Sequence, residues 1–326
     1  ISGGYRYNRA LGEELDNAGL GQLMSWDPAN PTRLPQADVV LLDSLYLGSA
    51  PSREAIGTLR ATGAQLHLLA HYFVPANPIL SAAEIERWER SARAWLEHCH
   101  AAITTGYRMQ RPWSSWLGPD IPVRVATPAV PSVPCSDRRF TGSHDGPIRI
   151  LTVGALTAPK NQQLLLEHVV EHRHRNIHWQ LIGSTKLDRQ YADRFAQTVR
   201  SNDLARRVSV RGTQPHPAVL DALRETDLFV STSVFETFGM ANAEALAMGI
   251  PTLAFDVGDI RTWSTEPADV RLHAVGDERG FLESFDEFTR DWPARRIPAQ
   301  APQFEAREWR QTLSAILDPF DISLRV

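Results

Sequence analysis

The sequence predicts an α/β protein of two domains, each a parallel sheet covered by helices on both faces. Three observations carry that prediction. Short β-branched apolar runs alternate with longer helical patterns along the chain, which is the rhythm of βαβ units. Runs such as Leu228-Phe229-Val230 are apolar without alternation, as strands buried on both faces are. The rhythm breaks once, over residues 127–147, where four prolines with Gly, Ser and Asp make a stiff polar linker. A length of 326 residues suits two such domains.

The elements follow in order. A helix is expected at 7–18, where Leu11 and Leu15 share a face, after the glycine loop Ser2-Gly3-Gly4-Tyr5. Strands are expected at 39–45, 65–71, 101–105 and 123–126, with a helix at 82–98. The second half carries strand patterns at 148–153, 178–182, 208–211, 228–231, 251–255 and 270–273. Helices are expected between them at 162–173, 189–201, 218–225 and 240–248. The tail 304–317 has Trp309, Leu313 and Ile316 at helical spacing and no strand after it. The boundaries drawn are 1–135 for the first domain and 136–300 for the second. Residues 301–326 form a helix crossing back to the first domain. Two Rossmann-like domains facing a ligand cleft are the expected architecture.

Composition removes several function classes. Lys plus Arg number 34 against 38 Asp plus Glu, a formal charge of −4, which is not the basic footprint of a nucleic-acid binder. An apolar content of 43% excludes an acidic disordered chain. The only cysteines are Cys99 and Cys135, so no disulfide framework is expected and a reducing, cytoplasmic compartment is. No apolar run approaches the roughly 20 residues of a membrane-spanning helix. Arg108, Arg111 and Arg124 lie near Trp113 and Trp116, a grouping that suits either peripheral contact at the inner face of a membrane or an ordinary folded surface. There is no G-x-G-x-x-G, P-loop or G-x-S-x-G, so dinucleotide enzymes, P-loop enzymes and hydrolases lose their main support. His168-Val-Val-Glu171-His172 matches the H-x-x-E-H pattern, but its helix must bury Leu165, Leu166, Val169 and Val170, and the match reads as packing with a solvated rim.

The chemistry concentrates in Ser231–Pro251, which runs strand, turn, helix, stop. Glu236 falls on the loop at a strand's carboxyl end, where open α/β sheets bind ligands. Gly239 allows close backbone approach, and the amides of Phe238, Gly239 and Met240 open a helix, where free N–H groups and the helix dipole attract a phosphate. Glu244 lies one turn further, placed to accept two hydrogen bonds from a diol. Gly249 caps the helix and Pro251 begins the next strand. Either glutamate alone reads as a solvated group. Together, bracketing a phosphate-ready helix start, they suit a sugar nucleotide.

Glu236-x7-Glu244 with Phe238-Gly239, Glu244-Ala245, Ala247 and Gly249-Ile250-Pro251 resembles the signature of retaining glycosyltransferase family 4, of GT-B fold. The resemblance is strongest over residues 148–259. It implies transfer of a sugar from a nucleotide donor with retention of configuration, without a cofactor or bound metal. Val153-Gly154-Ala155-Leu156-Thr157-Ala158-Pro159-Lys160-Asn161 is a second match, with Lys160 placed to neutralise the leaving diphosphate. The family has an Arg beside that glycine or lysine, and here Ala155 and Pro159 hold those places. Arg211, closing a strand, either substitutes for it, stacks on the base or is an ordinary exposed residue. Gly3 and Gly4 resemble the family's N-terminal glycine loop, and His71 resembles a strand-end His facing the donor sugar, with a purely structural His as the alternative.

The function this implies is transfer from a nucleoside-diphosphate sugar, a UDP-sugar such as UDP-glucose, to a carbohydrate or lipid-linked acceptor in polysaccharide or glycoconjugate synthesis. The rivals are a sugar-nucleotide epimerase of the same architecture and a non-catalytic sugar-nucleotide-binding protein. Turnover without an acceptor distinguishes the first, and tight binding without transfer the second.

Overall fold

The computed structural model describes residues 3–130, 146–172, 176–263, 270–290 and 309–317. The chain divides into two compact units. One gathers Arg6–Ala129 with the chain from Glu308 onward, the other Val130–Arg307 with Ile1–Tyr5. The sequence-based boundary at 135/136 lies outside the described residues.

The N-terminal unit is a four-stranded parallel sheet in the order β1-β2-β3-β4, formed by β1 (Val39–Asp43), β2 (Gln65–Ala70), β3 (Ala101–Thr104) and β4 (Val123–Val125). Alternation along the strands divides the apolar residues between two faces. Leu42, Leu68, Ala70 and Ala102 pack against α2 (Arg53–Arg60), α3 (Ala82–Leu96) and α4 (Tyr107–Leu117). Leu41, Leu69 and Ile103 pack against α1 (Gly3–Asn17) and the C-terminal α11 (Trp309–Leu317). Leu313, Ile316 and Leu317 are buried there, and Thr312 Oγ1 donates to the Thr127 carbonyl at 2.7 Å, so the tail helix completes this unit's second face.

Several elements differ from the sequence expectation. Gly3 and Gly4 do not form a loop before the helix; they are the first turn of α1, where N–H groups have no intrahelical acceptor to satisfy in any case. The helix is anchored further along, by Tyr7 and Leu11 in the core. The basic-aromatic stretch is the helix α4, interrupted in sequence pattern by Pro112. Trp113 is fully buried and tilts against Phe73 at 4.6 Å, while Trp116 donates to Glu89 Oε1 at 2.9 Å, so the aromatic half of that cluster is core and core edge. Finally, α2 and α10 (Glu278–Arg290) were not expected from the pattern, although α10 buries Phe281, Phe285 and Phe288 at helical spacing.

The C-terminal unit is a six-stranded parallel sheet in the order β10-β9-β8-β5-β6-β7. Its strands are β5 (Ile148–Val153), β6 (Ile177–Ile182), β7 (Val208–Val210), β8 (Leu228–Ser231), β9 (Thr252–Phe255) and β10 (Val270–His273). The chain builds outward from β5 through α5 (Gln162–Glu171), β6, α6 (Arg189–Ser201) and β7. It then returns through α7 (His216–Arg224) to β8, on the other side of β5. The strand order therefore reverses between β5 and β8, and such a switch point opens a crevice outside the carboxyl ends of those strands.

Helices α5, α6 and α10 cover one face, while α7 and α8 (Met240–Ala247) cover the other. The near-continuous burial of β8 follows. Trp179 of β6 donates to Thr152 Oγ1 at 3.0 Å, and Thr152 donates on to the Val230 carbonyl at 2.8 Å, so the buried polar groups at the switch strands are satisfied.

Candidate functional site

Two loops leave the sheet at the switch point, and hydrogen bonds stitch them together. The first follows β5 from Gly154 through a 3-10 turn, Ala158–Lys160, into α5. The second follows β8 from Thr232 to Gly239. Val234 N–H donates to the Pro159 carbonyl at 2.9 Å, and Thr232 Oγ1 donates to the Lys160 carbonyl at 2.8 Å. These contacts bring two residues 76 apart in sequence into one ion pair, in which Lys160 Nζ donates to Glu236 Oε1. The two side chains keep 26% and 18% of their surface in solvent. The Lys160 stem lies over Gly154, whose hypothetical Cβ would stand 3.5 Å from Lys160 Cδ.

Close packing of glycines sharpens the geometry. A Cβ on Gly183, after β6, would fall 1.9 Å from the Gly154 carbonyl oxygen. Gly258, at φ +62°, would place a Cβ 2.4 Å from the Phe238 carbonyl oxygen and 3.1 Å from Glu236 Cβ. Asp259 N–H donates to that same Phe238 carbonyl at 3.0 Å. The loop after β9 thus braces the Glu236–Phe238 segment from behind. Phe238 is buried. Gly239 takes φ 93°, a left-handed conformation that a side chain disfavours, and serves as N-cap of α8 without a capping side chain. The first α8 amides, from Met240 on, therefore keep the donor character that attracts an anion.

Glu244 is 3% exposed and sits one turn into α8. A carboxylate this deep needs hydrogen-bond partners to be tolerated. One is His216 Nε2, 3.0 Å from Glu244 Oε1. Sequence reasoning missed His216 because it placed the start of α7 at residue 218. The available signal was Pro215-His216-Pro217, a helix-start pattern that makes His216 the first helical residue.

The structure brings Gly154, Lys160, Glu236, Phe238, Gly239, Met240 and Glu244 to one end of the switch strands. Arg211 stands apart from them. It is exposed and follows β7, two strands from β5, or about 10 Å at the usual strand spacing. Ala155 and Pro159 contribute no cation, and the Ala155 carbonyl accepts from Gln162 Nε2 at 2.8 Å.

His71 belongs to the N-terminal unit, just after β2, and is described within it. Its Nε2 lies 2.6 Å from Asn8 Oδ1, and Asn8 Nδ2 donates to Asp43 Oδ2. Asp43 Oδ1 in turn accepts from Leu45 N–H at 2.8 Å. Burial pushes the His71 pKa down to about 4, against an opposing pull from Asp43. The ring is therefore neutral at pH 7, with Nε2–H donating to Asn8. Tyr7 packs edge-on against it at 5.0 Å.

Comparison with known proteins bears on the family and the fold. The family Glycosyl transferases group 1 matches residues 147–291. D-inositol 3-phosphate glycosyltransferase of Rhodococcus erythropolis is 28% identical over 197 residues, covering 57% of this chain and 43% of that enzyme. Mannosylfructose-phosphate synthase of Agrobacterium fabrum is 31% identical over 110 residues, 32% of this chain and 24% of that enzyme. The chain thus spans less than half the length of these relatives.

Among solved structures, Anabaena HepE with UDP and glucose superposes with a TM-score of 0.65 at 16% identity, over 88% of this chain and 78% of that one. Sucrose-phosphate synthase of Thermosynechococcus elongatus gives 0.63 at 18% identity, over 86% and 69%. These likenesses show the fold, two parallel α/β units of the GT-B type. Residues 147–291 thus match the glycosyl transferases group 1 family, and the chain is built on the GT-B fold.

Proposed function

We propose that the protein is a retaining glycosyltransferase that takes a sugar from a nucleoside-diphosphate donor, with UDP-glucose the first donor to test. The observation that carries this reading is the Lys160–Glu236 pair at the β5/β8 switch point, next to the uncapped start of α8. In this reading the donor diphosphate meets Lys160 and the amides of Gly239 and Met240. Their fixed positive potential stabilises charge as it develops on the departing phosphate. Glu236 turns from Lys160 towards the hydroxyls of the donor sugar and orients it. Glu244, with Oε1 held by His216, presents its other oxygen to the ribose diol.

The reaction breaks the bond between the anomeric carbon and the β-phosphate oxygen. The acceptor hydroxyl oxygen bonds to that carbon on the same face, and its proton passes to the departing diphosphate. No protein base is required. Lys160 and the helix amides supply the cationic environment, so the chemistry proceeds without a metal ion. His71, neutral and tied to Asn8, suits a hydrogen-bonding role and not proton transfer. Support for a uridine donor comes from the Anabaena protein of the same fold, solved with UDP-glucose. The relatives act on varied acceptors, and a carbohydrate or lipid-linked alcohol remains the acceptor class proposed. No helix among the described residues is long and apolar enough to cross a membrane. The proposed setting is cytoplasmic, with any membrane contact peripheral.

The test is thermal unfolding with UDP, GDP, ADP and their glucose conjugates, each with and without EDTA. A ligand that binds only the folded state raises the midpoint by mass action. One diphosphate series should raise it, by an increment that EDTA leaves unchanged and Glu244→Ala reduces. A response to none of the nucleotides would sink the donor site, and an increment that EDTA removes would sink the metal-independent chemistry.

A further inference from the structure

The H-x-x-E-H stretch on α5 has a second meaning that only the fold makes visible. His168 lies on α5 and His172 is the C-cap that ends it, and their ring centroids are 4.1 Å apart. Across from them stands Asp286 of α10, whose Oδ1 lies 2.6 Å from His168 Nε2. One ligand atom from each of the three residues lies within 4.8 Å of the other two. Glu171, the acid of the sequence pattern, is exposed and is not one of the three. We propose that His168, His172 and Asp286 form a structural binding site for a divalent transition-metal ion, clamping α5 to α10.

Several features fit the assignment. Two imidazole nitrogens and one carboxylate oxygen suit zinc, cobalt, nickel or copper, and do not suit magnesium or calcium, which take oxygen ligands. Three protein ligands leave a fourth tetrahedral position for water. The two helices beneath them share one core. Leu165, Leu166 and Val169 of α5 and Phe281, Phe285 and Phe288 of α10 belong to the same buried cluster, and Phe285 packs edge-on against His168 at 5.9 Å. His172 Nδ1 lies 3.0 Å from the His168 carbonyl oxygen. Donation there fixes the tautomer in which Nε2 carries the ring lone pair, the arrangement by which metal-binding histidines are usually oriented. Ion binding replaces the His168–Asp286 hydrogen bond with two metal bonds, and the His168 ring proton moves to Nδ1.

The site is distinct from the proposed donor site. Lys160 precedes α5, whereas His168 lies six residues past its first residue, Gln162, about 9 Å along the helix rise, and His172 lies at its far end.

The experiment is calorimetric titration of the chelator-stripped full chain with Zn2+, followed by Co2+ binding read from its visible absorption. Expected are one ion per chain and the intense bands of four-coordinate cobalt. His172→Ala and Asp286→Asn should each weaken binding by more than about 10-fold, the least that even an outer-shell substitution costs. Lys160→Ala should bind Zn2+ as the parent does, which separates this site from the donor site. Asp286→Asn keeps the side-chain shape and an acceptor for His168, so it carries the test if His172→Ala folds poorly. Absence of binding at about 1 mM Zn2+, or unchanged binding in both variants, would overturn the proposal and leave a simple hydrogen-bonded clasp. Six-coordinate cobalt spectra would overturn the tetrahedral assignment.

Discussion

Both units carry a polar cluster at the carboxyl edge of a parallel sheet, and the two clusters are built for opposite ends. In the C-terminal unit, Lys160 and Glu236 are oppositely charged, partly exposed and paired only with each other among the contacts described. In the N-terminal unit, Asp43, Asn8 and His71 form a chain closed at each step, from the Leu45 amide to a neutral imidazole sealed by Tyr7. Exposed charges at a switch point can exchange one partner for a ligand at little desolvation cost. A buried neutral ring cannot, because opening the chain strands polar groups away from water. The same architecture thus yields one edge with a partly exposed, exchangeable ion pair and one that fixes α1 to β1 and β2.

The largest effect that separates the two edges is expected from Lys160. Lys160→Ala should lower kcat/KM for sugar transfer by about 10²–10³-fold, the usual cost of losing one preorganised electrostatic contact to a transition state. Its unfolding midpoint should change little, since Lys160 is part-exposed and buries no core surface. Steady-state kinetics beside a thermal melt checks both. A variant that keeps its activity would remove Lys160 from the chemistry.

Acid should act on the other edge. The His71 pKa is about 4 in the folded protein, against an ordinary value of 6.5. Between those values the unfolded chain takes up a proton that the folded chain refuses. The stability from neutral His71 is complete above pH 6.5 and is lost as the pH falls towards 4. At 1.36 kcal/mol per pH unit, the loss between pH 6.5 and 5 is about 2 kcal/mol. Urea unfolding at the two pH values measures it. His71→Gln, which cannot titrate, should lose correspondingly less, and an equal loss in both proteins would assign the acid sensitivity elsewhere.

This contrast also explains what could be read from the sequence. The β5–α8 region was legible because each chemical residue there is tied to a local signal. Glu236 follows an apolar strand, Gly239 marks the helix start, and Lys160 follows a strand-turn-proline run. The ten strands among the described residues match the expected ones, with ends off by at most two residues, because buried parallel strands announce themselves as apolar runs. Asn8–His71 and His216–Glu244 were not legible, since their partners lie 63 and 28 residues apart and only topology joins them. The helix α4 was masked by Pro112 and by a surface density of arginine. Its Trp113 suits either a peripheral membrane contact or an ordinary folded surface in the sequence, while the fold uses it as core. The ring pair of α5 was visible as a pattern, but Asp286, 118 residues from His168, was not.

A finer distinction lies within the donor-side edge. Glu244→Ala should weaken nucleotide binding by about 10- to 100-fold, the worth of hydrogen bonds to a charged group. His216→Ala should cost less, about 3- to 10-fold, since it removes only the group that holds Oε1 in place. Both changes should appear in the donor KM far more than in kcat, which separates ribose anchoring from Lys160's action on the leaving group. If His216→Ala lowered kcat and left KM untouched, the ribose assignment would fail.

Arg211 should give the smallest effect, and its size decides how the missing family arginine is compensated. The side chain is exposed and two strands from β5. At that distance a cation reaches the diphosphate through water and salt, over about one Debye length. Arg211→Ala should therefore raise the donor KM by no more than about 3-fold at low salt, and less at 0.15 M, where screening shortens its range. Arg211→Lys should restore the parent value, because a long-range field needs only the charge. A loss above about 10-fold that Lys does not rescue would mean a direct bidentate contact. Lys160 would then share the diphosphate with a residue three strands from β8, and the β7 edge would have to be counted as part of the donor site.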